Sequence, residues 1–369
     1  MNTKYFGKFD SLKNQKVQIM DETGKIINEK LMPKINKETV IKAYKIMSLS
    51  RAQDHFQDKV QKQGRLLSYL TSTGQEACEV AYGLQIKKGK DWFSGAYRNN
   101  AAWLASGVPM RNIMLYWIGN EFGSHMPEGI QTLPINIPIA TQYSHATGIA
   151  FAEKYAGRDG VCLTTTGDGG SSEGEFYEAM NFAQLHEVPA VFMVENNKYA
   201  ISTPRSKATK AINFAVKGIS TGTRNIIVDG NDFFASWAVV EEAMELARKG
   251  HGPSLIEFDT YRLGAHSSSD DPKVYRDEKY HQEQIKKDPL IRMKNYLVDK
   301  GWWDAKKQKA LDEENNKIIR AEFKWVEENA NTKLEDIFKY TYAEMTDALN
   351  EQMQEEKDFQ KYLSEKGGN

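Results

Sequence analysis

The residues of this 369-residue chain best suited by type and spacing to chemistry are Gly167-Asp168-Gly169-Gly170 and Asn197. Asp168 and Asn197 stand 29 positions apart, the span of one helix, its loops and a return strand. In a parallel sheet that separation brings both side chains to the carboxyl edge, where open α/β folds bind ligands. A carboxylate and an amide oxygen there are hard ligands, suited to Mg²⁺ shared with phosphate oxygens. The glycines leave backbone N–H groups open to a phosphate and admit its close approach. Taken alone, each segment reads better as a strand-end turn; their pairing across one βαβ span favours a ligand site. Two other phosphate-binding designs are excluded. No Gly-Lys-Ser/Thr follows a glycine loop, and the third glycine position of the dinucleotide fingerprint, counted from Gly167, is Ser172.

These residues need a sheet to position them. Val161–Thr166, Ala190–Val194, Asn225–Val228 and Ser254–Tyr261 are short β-prone runs, separated by helical patterns at Gly174–Leu185 and Asp232–Lys249. Such alternation predicts an α/β fold: a mostly parallel sheet flanked by helices on both faces, with helical additions at both ends. Upstream, helical periodicity runs from Lys37 to about Gln63, from Gly74 to Leu84 and over Pro109–Ile118. Ala140–Ala156 is rich in Ala, Gly, Thr and Ser, and its small side chains mark a buried or interface helix. Met1–Lys34 reads as a polar arm, and the chain beyond Lys279 as charged helices broken at Gly301. The expected division is an N-terminal arm and helix over 1–62, an α/β domain over 63–288 and a helical region over 289–369.

Composition narrows the function classes. With 40% hydrophobic and 27% charged residues the chain can build a large core and is not a disordered protein. Its 49 Lys and Arg against 50 Asp and Glu leave a formal charge of −1, so no global basic field recruits nucleic acid or an anionic membrane. Apolar runs such as Val188–Val194 fall far short of the roughly 18–20 residues of a membrane helix, and the N-terminal residues hold no signal-peptide apolar region. Cys78 and Cys162 are the only cysteines; they make neither a disulfide framework nor a zinc site and suit a reducing, cytoplasmic setting.

The wording around the motif carries a specific resemblance. Gly167-Asp168-Gly169 followed about thirty residues later by Asn196-Asn197 is similar to the thiamin diphosphate motif. Ser172-Glu173-Gly174, Asn181-Phe182-Ala183 and Glu195-Asn196-Asn197-Lys198-Tyr199-Ala200-Ile201-Ser202-Thr203-Pro204 resemble alpha subunits of 2-oxo acid dehydrogenases. These belong to the decarboxylating component of the pyruvate and branched-chain complexes. Gln63-Gly64-Arg65, Gly74-Gln75-Glu76-Ala77, Tyr97-Arg98, Val228-Asp229-Gly230 and Asp270-Asp271-Pro272 extend the likeness over most of the chain.

The resemblance implies roles. Asp168, the Asn197 side chain and the Tyr199 carbonyl would bind Mg²⁺, while Gly169 and Gly170 would contact the diphosphate of the cofactor. Tyr97 and Arg98 would hold its terminal phosphate, a task that suits a planar guanidinium. Ile137 and Ile139 would supply backbone contacts and the apolar wedge that bends the cofactor. His266 would pair with a phosphate or move a proton during transfer to the lipoyl group; His145 has a weaker claim. Gly264-Ala265-His266 departs from the branched-chain pattern, in which two adjacent histidines precede the serine, and this favours pyruvate over branched-chain 2-oxo acids or acetoin. Ser267–Ser269 resembles a loop that mitochondrial relatives phosphorylate; the expectation here is a cofactor-ordered loop with no kinase.

One part is missing. In the family a glutamate that activates the cofactor's aminopyrimidine belongs to a separate beta subunit, and no second βαβ series remains in this chain to supply it. The resemblance therefore implies two alpha plus two beta chains docked on a lipoyl-bearing dihydrolipoyl acyltransferase core, with Ala140–Ala156 as a candidate packing surface. A non-catalytic scaffold of the same fold and a Mg²⁺-dependent nucleotide hydrolase are the competing classes. The first is disfavoured by the intact Asp168, Asn197, Arg98 and His266, the second by the missing phosphate-gripping lysine.

Overall fold

A computed structural model describes residues 3–330 and 332–367. Its strands are β1 (Lys16–Val17), β2 (Trp92–Ser94), β3 (Cys162–Gly167), β4 (Ala190–Asn196), β5 (Tyr199–Ala200), β6 (Thr203–Pro204), β7 (Arg224–Asp229) and β8 (Ser254–Asp259). Helices α1 (Lys37–Lys62), α2 (Glu76–Gly83), α3 (Asn100–Ser106), α4 (Met110–Trp117), α5 (Thr141–Tyr155) and α6 (Gly174–Leu185) come first. They are followed by α7 (Arg205–Ala208), α8 (Phe233–Arg248), α9 (Glu278–Ile285), α10 (Pro289–Asp299), α11 (Ala305–Asn329), α12 (Leu334–Lys339) and α13 (Asp347–Glu365).

Six strands form one parallel sheet in the order β1-β7-β8-β4-β3-β2, and β5 and β6 pair as a small antiparallel ribbon. Every residue of β4 is buried, as a central parallel strand covered on both faces requires. Register aligns the strand ends: Gly167 lies beside Glu195, and Asn196 beside Asp259. The residues that follow each strand therefore emerge on one edge.

Parity sets which side chains meet which layer. Phe192 and Leu255 join α5 and α6 in one core, where Tyr143 lies 5.1 Å from Phe176 and 4.9 Å from Phe192 between ring centroids. Phe258, of the opposite parity on β8, stacks on Tyr82 of α2 on the other face. The small residues Ala146 and Ala150 of α5 let it seat closely there, while Ser144, His145 and Gly148 face outward.

The N-terminal segment differs from its reading as an arm. Lys16 and Val17 pair with Ile227 and Val228 at the sheet edge, and Val17, Ile19 and Met20 are buried. Asp232 explains the attachment. Its carboxylate caps α8 through the N–H groups of Phe234 and Ala235 and also accepts from Ile19 and Met20 at 2.6 and 2.7 Å. A helix cap of this kind is worth about 1 kcal/mol, and here it fastens a strand as well.

The chain forms two compact units, Met1–Phe323 and Lys324–Asn369. The first holds the sheet. Within the second, α12 and α13 are joined by a Lys357–Glu335 ion pair at 3.0 Å. No helix of the described residues is long and apolar enough to cross a membrane.

Candidate active site

Asp168 follows β3 and Asn197 follows β4, so adjacent strands deliver a carboxyl and an amide to one point of the carboxyl edge. Asp168 is 1% exposed. Its Oδ1 accepts the Asn197 backbone N–H at 2.8 Å, and its Oδ2 is buried without a hydrogen-bond partner among the described residues. Burial pushes this carboxyl up to about 6, with Lys198 opposing the shift. A buried orphan carboxylate oxygen costs free energy until a cation or a proton meets it.

Beside it, the Asn197 Nδ2 donates to Gln75 Oε1 at 2.8 Å, which leaves Oδ1 with one long contact from the Tyr199 N–H at 3.3 Å. Lys198 has a φ of 79°, a left-handed turn that takes the chain off the line of β4 into the β5–β6 ribbon. The Tyr199 carbonyl accepts from Arg262 Nη1 at 3.4 Å. Among the described residues no group of three or more His, Cys, Asp or Glu could hold a metal. An orphan carboxylate oxygen and an oriented amide oxygen nonetheless fit a hard cation whose shell is completed by a carbonyl and by ligand phosphates.

The glycines form a cradle. A Cβ on Gly170 would come within 1.9 Å of Thr166 Oγ1 and 2.8 Å of Ile139 Cγ2, and one on Gly169 within 3.2 Å of the Ala200 methyl. Only glycine backbone fits at the first of these.

The opposite wall is cationic. Arg98, 6% exposed, donates to the carbonyls of Thr71 and His266 at 2.8 and 2.7 Å and approaches His266 Nδ1 at 3.1 Å. Arg262, 1% exposed, donates to the Ile201 carbonyl and the Tyr275 hydroxyl at 2.7 and 2.8 Å, stands 3.5 Å from the same Nδ1, and keeps its buried Nε unpartnered. Among the described residues neither guanidinium is paired with a carboxylate. Two like charges and partial burial favour an anionic visitor. They also fix the imidazole. Burial, Arg98 and Arg262 lower His266 to about 4, against Asp270. Because a guanidinium only donates, Nδ1 is the acceptor and the ring proton resides on Nε2.

Tyr97, Arg98, Ile139, Asp168, Gly169, Gly170, Asn197, Tyr199 and His266 line one cleft of about 160 Å³. Ile137, 46% exposed, is not among its lining residues, and His145 lies on the outward side of α5. Arg262, Gln142 and Glu195 line it too, although sequence reasoning assigned them no role. Arg262 had a usable signal: a lone basic residue directly after a strand at the same edge. Gln75 stood within the matched Gly74-Gln75-Glu76-Ala77 run, but an amide at the start of a helix resembles any capping residue, so its type pointed to no role. Cys78 and Cys162 are buried, with thiols pushed up by desolvation, and take no part.

Fold and cleft together define a parallel α/β protein whose carboxyl edge offers hard oxygen ligands on one side and guanidiniums on the other. Residues 44–335 match the family described as dehydrogenase E1 component. The chain belongs to that family. It is 45% identical over 345 residues to the pyruvate dehydrogenase E1 component subunit alpha of Acholeplasma laidlawii, covering 93% of this chain and 99% of that one. The proteins of the same name from Mycoplasma genitalium and Staphylococcus aureus strain Mu50 are each 38% identical. They cover 91% and 92% of this chain and 94% and 92% of their own lengths.

Proposed function

We propose that this chain is the alpha subunit of a thiamin diphosphate-dependent pyruvate dehydrogenase. It would act with a beta subunit in oxidative decarboxylation of pyruvate and acyl transfer to a lipoyl group of an acyltransferase core. The observation that carries the reading is the buried, unpartnered Oδ2 of Asp168 beside the oriented Asn197 oxygen, facing two carboxylate-free guanidiniums across a glycine floor. This is a receptacle for a metal-bound diphosphate. Thiamin diphosphate held there would supply the carbanion and electron-sink chemistry that decarboxylation of a 2-oxo acid needs.

The chain's own residues bind and orient. Asp168, Asn197 and the Tyr199 carbonyl would hold Mg²⁺, and Gly169 and Gly170 would bring backbone to the phosphates. Arg98 and Tyr97 would take the terminal phosphate, with Arg262 adding positive charge from behind. Ile139 would press on the cofactor's bend. A neutral His266 would present its Nε2–H to an anionic oxygen while Nδ1 stays held by Arg98. All of these lie within residues 63–288, which we assign as the cofactor-binding domain. The cleft's modest volume of about 160 Å³ suits one half of a site closed by a partner, since complete small-molecule pockets run to about 300–1,000 Å³.

The test is the chain reconstituted with its beta partner, Mg²⁺ and thiamin diphosphate, assayed on pyruvate, branched-chain 2-oxo acids and acetoin. Pyruvate should be turned over with the highest kcat/KM. Preference for a branched-chain acid would overturn the substrate assignment and leave the cofactor assignment standing.

A further inference from the structure

Behind the cleft lies a buried chain of amides and carboxyls that sequence reasoning left unused. It starts at two fixed backbone donors. The Ala96 N–H is accepted by Asn99 Oδ1 at 2.7 Å, so the other end of that amide must donate, and it does, to both Glu195 oxygens at 3.0 Å. The Ala101 N–H, at the start of α3, is accepted by Glu79 Oε2 at 2.9 Å. Gln75 then places Nε2 against both acids, 2.8 Å from Glu195 Oε2 and 3.3 Å from Glu79 Oε1. Its Nε2 is committed as a donor, which leaves Oε1 as the acceptor for Asn197 Nδ2 at 2.8 Å. Gln75, Glu79, Asn99, Glu195 and Asn197 are all at most 4% exposed, so water does not compete at any link.

The consequence falls on Asn197. An asparagine amide has nearly the same shape when rotated by 180°, and only hydrogen bonds decide which atom faces which way. Rotated, Asn197 would bring N–H groups to the cation position and set its oxygen against Gln75 Oε1. We infer that Gln75 is a positioning residue for the metal site: through Glu195 and Glu79 it locks the Asn197 amide with oxygen toward the cation beside Asp168. The inference rests on the proposed Mg²⁺ site. Partners of this kind, one layer behind metal ligands, characteristically change metal affinity by 10–100-fold when removed.

The experiment is calorimetric titration of Mg²⁺ into the reconstituted alpha–beta assembly at saturating thiamin diphosphate, for Gln75→Met, Asn197→Ala and the double variant. Gln75→Met should weaken Mg²⁺ about 10–100-fold, and in the Asn197→Ala background it should cause no further loss. Gln75→Glu, held protonated between the two acids, donates its O–H toward Glu195 and keeps an oxygen facing Asn197 Nδ2, so it should hold Mg²⁺ far more tightly than Gln75→Met, within about threefold of wild type. That variant also keeps the idea testable if Gln75→Met fails to assemble. Wild-type affinity in Gln75→Met, an undiminished further loss in the double variant, or a tenfold loss in Gln75→Glu would each overturn the lock alone. Unchanged Mg²⁺ affinity in Asn197→Ala would overturn the metal reading and the lock with it.

Discussion

The carboxylate of Asp168 and the backbone N–H of Asn197 meet at 2.8 Å, tying together the ends of two adjacent strands and leaving the second carboxylate oxygen buried and unmet. One side chain thus closes the strand ends and opens a site.

That arrangement sets function against stability. In the metal-free protein, burial raises the Asp168 carboxyl from 3.8 to about 6, so the folded state holds this proton more tightly than the unfolded chain. The associated stability is complete below the unfolded value and is lost as pH climbs through about 6. At pH 8, Asp168→Asn should therefore raise the metal-free Tm by about 2–4 °C. The same variant should abolish Mg²⁺-dependent cofactor binding. Differential scanning calorimetry with and without Mg²⁺ and thiamin diphosphate reads both effects; a lowered metal-free Tm would contradict the account.

His266 should titrate with a midpoint near 4 in the cofactor-free protein and carry its proton on Nε2 through neutral pH. Its folded value is depressed, so its contribution to stability is whole above about 6.5 and is lost as pH falls toward 4. Nitrogen-15 NMR of labelled histidine gives the tautomer and midpoint together. Arg98→Met removes one of the two cations and should move the midpoint upward; an imidazolium at pH 7 in the unaltered protein would contradict the geometry.

Gly170→Ala forces a methyl against Thr166 and Ile139, while Gly167 has open space where its Cβ would stand. Overpacking of this kind costs about 1–3 kcal/mol. Gly170→Ala should lower stability by that amount and weaken thiamin diphosphate binding, whereas Gly167→Ala should be nearly neutral in denaturant titration. Equal effects at the two positions would argue against a cradle.

Much of this arrangement was legible in the residues themselves. Gly174–Leu185 forms a helix with the bounds its pattern predicted, and β3, β4, β7 and β8 lie within one or two residues of theirs. Hydrophobic runs of that length have one stable use in a parallel sheet. The sheet's outer strands were not legible: β1 is two residues long and β2 three, too short for periodicity, and tertiary pairing alone creates them. The site divides the same way. Asp168, Asn197 and His266 follow strands whose patterns were legible, so their convergence could be anticipated, whereas Arg98 follows the short β2 and was marked only by the family resemblance. Gln75 acts through a neighbour remote in sequence, meeting Glu195 across 120 positions, and nothing in the residues alone pairs the two. Ile137 failed to reach the cleft lining although Ile139 did.

The central claim is that this chain holds half of an active site. Its most direct test is pyruvate decarboxylation, with Mg²⁺ and thiamin diphosphate, by the purified chain alone, by its beta partner alone and by the reconstituted pair. The account predicts turnover in the pair only, abolished by Asp168→Ala. Decarboxylation by this chain alone at the rate of the pair would contradict it.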